Sequence, residues 1–337
     1  MMDTLRYTFV TVGFAGETGL LRLQARSMRL YCPADLVDEI IVVDNSQPAA
    51  SNRWRADLLY HYGRHAQRVR FIPSAELARM PNSVDGWWTQ QVLKIAVAEV
   101  IRSERYVLLD AKNHLISQLE RDFLETRAGL PRLNGYPHVN PQMRHLLERT
   151  LSYFGINPAP HLDWFTRTAT PFTILTSEAR DLVRYIEDRE GKPFASAFLE
   201  RELAEFFLYS GFLESKGILK SSYDFTQPHC AQIWGETANE TGCAEAIRNV
   251  ENYNCPFMSV HRRAIAKMDE RGRAIVAGFW HARGLFRSVI DATRFLRDPN
   301  RTYQDYHGRV YPWPMGYFVF HFDQRWETAF RRHGMLQ

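Results

Sequence analysis

The sequence predicts an α/β fold built on a mostly parallel sheet flanked by helices. Three observations carry that reading. Residues 7–13 (Tyr-Thr-Phe-Val-Thr-Val-Gly) and 39–43 (Glu-Ile-Ile-Val-Val) are strand-like runs separated by a helical stretch, and a strand–helix–strand start favours parallel neighbours. Residues 106–109 (Tyr-Val-Leu-Leu) form a short continuous apolar run, the pattern of a central strand covered on both faces. The second and fourth strands stop on polar residues, Asp44-Asn45-Ser46 and Asp110-Ala111-Lys112-Asn113. Ligands of open α/β sheets bind just beyond the carboxyl ends of the strands.

The elements follow in order. After the first strand, Gly13, Gly16 and Gly19 precede a helix over 20–31 that Pro33 ends. These glycines suggest a dinucleotide turn with Asp44 as a ribose-binding acid, although their spacing is not G-x-G-x-x-G. Residues 52–67 read as a helix with a charged outer face, and 69–72 as a third strand before Pro73-Ser74.

Residues 86–101 follow as a largely apolar, buried helix that Asp85 can cap. Trp87, Gln91, Lys94 and Ala98 share one of its faces, with Gln90 beside Lys94. A lysine on a buried helix needs a partner, because an unpaired buried charge is costly. The fourth strand then delivers Asp110, Lys112 and Asn113 to its carboxyl end.

The pattern loosens over 118–163, where glycines and prolines punctuate a helix near 142–154 and leave His138 and Asn140 in a loop. Residues 170–175 read as a strand, 177–188 as a helix broken by Gly191-Lys192-Pro193, and 195–210 as one further helix stopped by Gly211. On that single helix Glu202, Glu205 and Tyr209 align. Aromatic neighbours would partly bury Glu205 and raise its pKa towards a base's working range. Residues 256–263 read as a last strand ending on His261, with Arg262 and Arg263 after it. From Ala274 onward the chain is rich in aromatics, and a final helix near 324–333 carries Arg325, Trp326, Arg331 and Arg332. Such a helix offers peripheral contact with an anionic membrane surface.

Composition narrows the classes. The 337 residues, 45% hydrophobic and 24% charged, are ordinary for a globular chain and allow one large domain or two modest ones. The net charge of +4 suits an anionic ligand. No run of Lys and Arg reads as a nucleic-acid patch, no apolar run approaches a membrane span, and the first residues lack a signal-peptide pattern. A cytoplasmic protein, membrane-associated at the inner face if the last helix docks there, is expected. Cys32, Cys230, Cys243 and Cys255 form no C-x-x-C pair. His229, Cys230, Cys243, Cys255 and His261 match no common zinc spacing, so reduced structural thiols are expected.

A resemblance supplements these readings. The stretch Gly-Trp-Trp-Thr-Gln-Gln-Val-Leu-Lys (86–94), followed by Tyr-Val-Leu-Leu-Asp-Ala-Lys-Asn (106–113), resembles the DUF6492 family, a bacterial group similar to glycosyltransferases of the GT-A fold. Ala-Glu-Phe-Phe-Leu-Tyr-Ser-Gly-Phe (204–212) resembles that family's Glu-centred motif. Asp110 with the residues after it resembles the Asp-x-Asp element, except that Lys112 stands where a second carboxylate is expected.

The resemblance implies a nucleotide-sugar donor and an acceptor glycan, plausibly in bacterial surface polysaccharide synthesis. It implies a GT-A-like catalytic domain over 1–265, with a nucleotide-binding half (1–120) and an acceptor half (121–265), and an extension over 266–337 packed on it. It implies Glu205 and Asp110 as catalytic residues. Asp44, Asn45, Gln91, Lys94, Lys112, Asn113 and His261 are then expected at the donor. Asp110 is a candidate ligand for a divalent metal, Mn²⁺ or Mg²⁺; with Lys112 beside it, metal-independent action stays open. Two alternatives also stay open: a non-catalytic carbohydrate-binding protein on a transferase-like fold, and a nicotinamide-dependent oxidoreductase using the glycine turn.

Overall fold

The computed structural model describes residues 6–298 apart from 82, 83 and 85. The expected cap Asp85 and the expected helix near 324–333 lie outside the described residues.

Five strands make the main sheet: β1 (Tyr7–Gly13), β2 (Val37–Asp44), β3 (Val69–Pro73), β4 (Arg105–Asp110) and, after the short strands β5 (Asn113–Leu115), β6 (Gly135–Tyr136) and β7 (Phe165–Thr166), β8 (Phe172–Leu175). Their order is β3-β2-β1-β4-β8. All neighbours are parallel except β4 and β8, which pair antiparallel with Arg105 opposite Leu175. The expected α/β class with a mostly parallel sheet is the observed one. A second sheet, β5-β10-β9, uses β9 (Ala231–Ile233) and β10 (Phe257–Val260). Because β5 follows β4 after two residues, Asp110 sits where the two sheets meet.

Helices cover both faces. In chain order they are α1 (Thr18–Tyr31), α2 (Asn52–Tyr62), α3 (Ser74–Leu77), α4 (Gly86–Ala96), α5 (Arg121–Leu124), α6 (Pro141–Tyr153) and α7 (Thr176–Glu190). Then come α8 (Phe194–Glu200), α9 (Glu205–Ser215), α10 (Leu219–Ser222), α11 (Glu240–Tyr253), α12 (Arg262–Lys267), α13 (Glu270–Ala282) and α14 (Val289–Arg297). Strand alternation sends side chains to opposite faces. Phe9, Val42, Val107 and Leu109 join one core with α1, α2 and α11–α14, while Val10, Ile41, Val43 and Leu108 join another with α4 and α6–α9. The residues of 266–298 therefore complete the first core, with Trp280, Ala292 and Leu296 fully buried in it.

The structure corrects several expected boundaries. The helix over 86–101 ends at Ala96 and continues as a 3-10 turn, Val97–Val100, and the helix over 52–67 likewise tightens into a 3-10 segment after Tyr62. The single helix over 195–210 is two helices. The chain turns at Glu202, whose φ of 49° is left-handed, and Leu203 N–H closes α8 by donating to Phe198 O. Gly211 does not stop a helix but lies inside α9. A Cβ there would meet the Phe154 ring at 3.2 Å, so glycine lets α9 approach the end of α6.

His114 on β5 ties α13 to the sheets. Its Nε2 accepts from Trp280 Nε1 at 2.9 Å, and its Nδ1 faces Lys112 O at 3.3 Å. Burial pulls its pKa down from 6.5 to about 4. The unfolded chain therefore binds the proton first as pH falls. The neutral ring's contribution is intact above 6.5 and is lost progressively towards 4, by up to roughly 3 kcal/mol. Urea unfolding at pH 7 and pH 5 should show this loss, and His114→Gln should flatten the pH slope. An unchanged slope in the variant would remove His114 as the cause.

Candidate functional site

The site grows from the carboxyl end of β4. Asp110 N–H donates to Asn113 Oδ1 at 2.6 Å, and Asp110 O accepts from Gln24 Nε2 of α1 at 2.8 Å. Asn113 is fully buried and its amide donates to Ser259 Oγ of β10 at 2.6 Å and to Thr170 O at 3.3 Å. Thr170 Oγ1 lies 2.6 Å from Asn113 Oδ1 and 3.0 Å from Asp110 Oδ2. Asn113 thus braces the turn between the two sheets, and its polar atoms are committed to that task.

Upon this frame sits a chain of alternating charges. Lys94 Nζ of α4 lies 2.9 Å from Asp110 Oδ1 and 3.2 Å from Glu205 Oε1. Lys112 Nζ pairs with the other Asp110 oxygen. Lys94, expected from the sequence to need a partner, has two. Its ammonium also lies 5.1 Å from the centre of the Phe206 ring, which stacks on Phe172. Glu205 occupies the first turn of α9, where the helix dipole favours a negative charge. Its backbone N–H donates to Gln91 Oε1 at 3.3 Å, while Gln91 Nε2 is buried with no hydrogen-bond partner among the described residues.

The electrostatics split the two carboxylates. Burial works against the Asp110 carboxylate, but Lys112 and Lys94 outweigh it and hold its pKa well below the usual range. Burial raises Glu205, and Lys94 offsets this only in part, so its pKa stays above normal. Burial also opposes the Lys94 charge, yet Asp110 and Glu205 overcome it and hold the ammonium protonated. One group is fixed as an anion and the other is poised to exchange a proton.

A cationic and aromatic rim borders the chain of charges. The Lys112 ammonium lies 5.2 Å from the Trp234 ring, and that ring packs 4.9 Å from His261. His261 follows β10 and caps α12, accepting from Arg263 N–H at 3.3 Å. Burial and then the charges of Lys112, Arg262 and Arg263 lower its pKa to about 3, so it is neutral at ordinary pH. Arg262 faces Glu17 at 3.7 Å and lies over Phe14.

The fold therefore brings Gln91, Lys94, Asp110, Lys112, Asn113 and Glu205 together, with His261 at the rim. Asp44 ends β2 and Asn45 follows it, one strand further from β4. The Asp44 side chain is wholly buried and accepts from Ser46 N–H at 3.0 Å and Ala50 N–H at 2.7 Å. It closes its own loop, which leaves the nicotinamide reading without an exposed ribose acid. Sequence reasoning passed over Glu17, Gln24, Thr170 and Trp234. Glu17 had a readable signal, since it follows the first strand within Gly16-Glu17-Thr18. Gln24 and Thr170 had none, because only tertiary packing brings them to Asp110.

The donor set does not suit a divalent ion. Asp110 faces two ammonium groups, Asn113 is committed to the turn, and His261 caps a helix. Among the described residues no three His, Cys, Asp or Glu side chains gather as a metal site. Cys230 and Cys255 do meet, with sulfurs 2.9 Å apart, but as buried thiols. Among the described residues no helix is long and apolar enough to cross a membrane.

Comparison with curated proteins gives no match. Among solved structures, the apo form of the bifunctional glycosyltransferase WbbM is similar at 10% identity with a TM-score of 0.45, over 77% of this chain and 46% of that one. The galactosyltransferase LgtC, in complex with donor and acceptor sugar analogues, is similar at 12% identity with a TM-score of 0.49, over 82% and 99%. The apo glycosyltransferase GlyE of Streptococcus pneumoniae TIGR4 is similar at 8% identity with a TM-score of 0.35, over 79% and 55%. This chain spans about half the length of WbbM and of GlyE. A family model described as a family of unknown function, DUF6492, matches residues 21–240, and the chain belongs to that family.

Proposed function

We propose that this protein is a glycosyltransferase with a GT-A-like fold, moving a sugar from a nucleotide-sugar to an acceptor glycan. The observation that carries the reading is the Glu205–Lys94–Asp110–Lys112 chain of charges at the carboxyl end of a central parallel strand, where open sheets bind ligands. The reaction class comes from the motif resemblance at residues 86–113 and 204–212.

In this reading the bond between the sugar's anomeric carbon and the donor phosphate breaks, and the acceptor oxygen forms the new bond. The acceptor's proton passes to Glu205, and the nucleoside diphosphate leaves. Lys112 and Arg262 neutralise that diphosphate, as cationic side chains placed at a developing anion do. Asn45, Gln91 and His261 contact the donor, while Asp44 and Asn113 hold their loops in place. Asp110 fixes Lys94 and Lys112 in position. The acceptor belongs to a bacterial surface polysaccharide precursor, met at the cytoplasmic side of the membrane. In this reading the catalytic domain runs over 1–265, with its nucleotide-binding half over 1–120 and its acceptor half over 121–265.

Two lysines at Asp110 take over the charge neutralisation that a divalent ion gives in Asp-x-Asp enzymes. Calorimetric titration with UDP- and GDP-sugars should find one nucleotide class that binds, and turnover with that donor should persist in excess chelator. Complete loss in chelator, restored by Mn²⁺ or Mg²⁺, would refute the lysine assignment. A second reading, glycan binding without catalysis, is favoured by the same Lys112, which neutralises the carboxylate and replaces its expected partner. It predicts glycan binding and no turnover with any donor.

A further inference from the structure

A cavity of about 770 Å³ opens on the outer face of α1, between α2 and the α13–α14 turn. It is separate from the strand-end site. Gln24 and Ser27 direct α1's inner face at the sheets, bonding to Asp110 O and Leu115 N. Arg22, Arg26 and Arg29 lie at four- and three-residue spacing on the other side and line the cavity. Arg287 and Arg294 line it from the opposite wall.

Only part of this charge is answered. Asp57 pairs with Arg22 at 2.5 Å, and Asp291 lies 3.7 Å from Arg294. Arg26 donates to Leu285 O at 2.7 Å and lies over the Phe286 ring. The Arg29 and Arg287 side chains make no hydrogen bond or ion pair among the described residues. The stem of Arg29 lies over Gly63, where a Cβ would come within 2.3 Å of its Cδ. Burial and then the charges of Arg29, Arg22 and Arg287 lower the Arg26 pKa. The rest of the lining is mixed: Phe286 and Phe295 pack with centroids 5.3 Å apart, and Tyr60, His61, Asp291 and Asp298 line it beside them.

We infer that this cavity is a second binding site, for a small organic phosphate whose anionic group meets Arg26, Arg29 and Arg287 and whose apolar part lies against Phe286 and Phe295. Guanidinium forks match phosphate oxygens two at a time, and the volume falls within the range of small-molecule sites. A concave wall on three helices favours such a ligand over a flat membrane surface. The inference stands apart from the glycosyltransferase reading, because none of its residues belongs to the strand-end site.

Inorganic pyrophosphate is the probe. In calorimetry on the full chain, it should bind, and the double variant Arg29→Glu/Arg287→Glu should weaken binding at least tenfold while its circular dichroism stays that of the parent. Lys112→Ala, altered only at the strand-end site, should change the cavity's binding less than twofold. Loss of all binding in Lys112→Ala would assign the anion to the strand-end site and overturn the inference. So would absence of binding, an unaffected double variant, or equal competition by sulfate, which would mark a general cationic surface. Binding to phosphatidylglycerol vesicles that pyrophosphate does not displace would assign the arginines to a membrane and overturn it equally.

Discussion

Replacing Lys94 with Ala is expected to destabilise the protein by about 3–5 kcal/mol, the cost of removing one partner from a buried charge pair. Lys94 is the cation between two carboxylates, 2.9 Å from Asp110 and 3.2 Å from Glu205. Without it, Asp110 keeps Lys112, but Glu205 is left buried against Asp110 with no partner cation. Its pKa, already raised by burial, rises further. A carboxylate whose folded pKa is raised binds its proton more tightly in the folded state. Stability is then greatest below the unfolded pKa and falls as pH rises through the folded one. The deficit of Lys94→Ala should therefore be larger at pH 8 than at pH 5. Urea unfolding at both pH values measures it. Adding Glu205→Gln to Lys94→Ala should recover part of the loss, since it removes the stranded charge. A deficit under about 1 kcal/mol at pH 8, unmoved by that second change, would mean that solvent reaches Glu205 freely and that the chain of charges is not a closed unit.

Much of this arrangement was readable in the sequence, because it depends on local pattern. The apolar runs ending on Asp44 and Asp110 located the carboxyl ends of the two strands that flank β1, and the isolated Lys94 on an apolar helix announced a buried partner. The spatial neighbours of Asp110 were not readable. Thr170 and Ser259 reach Asn113 from segments 57 and 146 residues away, and no period in the sequence encodes such meetings. The helix over 195–210 failed for a different reason. Residues 194–215 hold no proline and are rich in Ala, Leu and Glu, so propensity favours one helix, but Glu202 adopts a left-handed turn and packing splits the segment. Gly211 looked like a stop signal because glycine usually is one. Here it serves close packing against Phe154, a tertiary cause that overrides the local rule. The split moved Glu205 from the middle of a helix to its first turn, a stronger position for an anion than the one expected.

Glu205→Gln is expected to bind the nucleotide-sugar normally and to lose about 10²–10⁴-fold in kcat, the usual effect of removing a general base. The geometry limits the ambiguity of that result. Gln is isosteric, keeps the backbone N–H bond to Gln91 and still presents an oxygen to Lys94, so folding should be little changed. What it loses is the ability to take the acceptor's proton. Because burial raises the Glu205 pKa, the base form accumulates only as pH rises through that shifted value. The parent's kcat should climb with pH across that range, and the residual rate of Glu205→Gln should not. Glu202→Gln supplies the control. Glu202 pairs with Arg149 at the surface and its side chain is 37% exposed, so water can replace that contact and kcat should stay near normal. A change confined to KM in Glu205→Gln would make Glu205 an acceptor contact instead of the base. If neither variant alters kcat, α9 is structural, and the proton leaves through another group. If the parent turns over no donor at all while still binding glycan, the Lys112 substitution in the Asp-x-Asp element has ended catalysis and the binding reading stands.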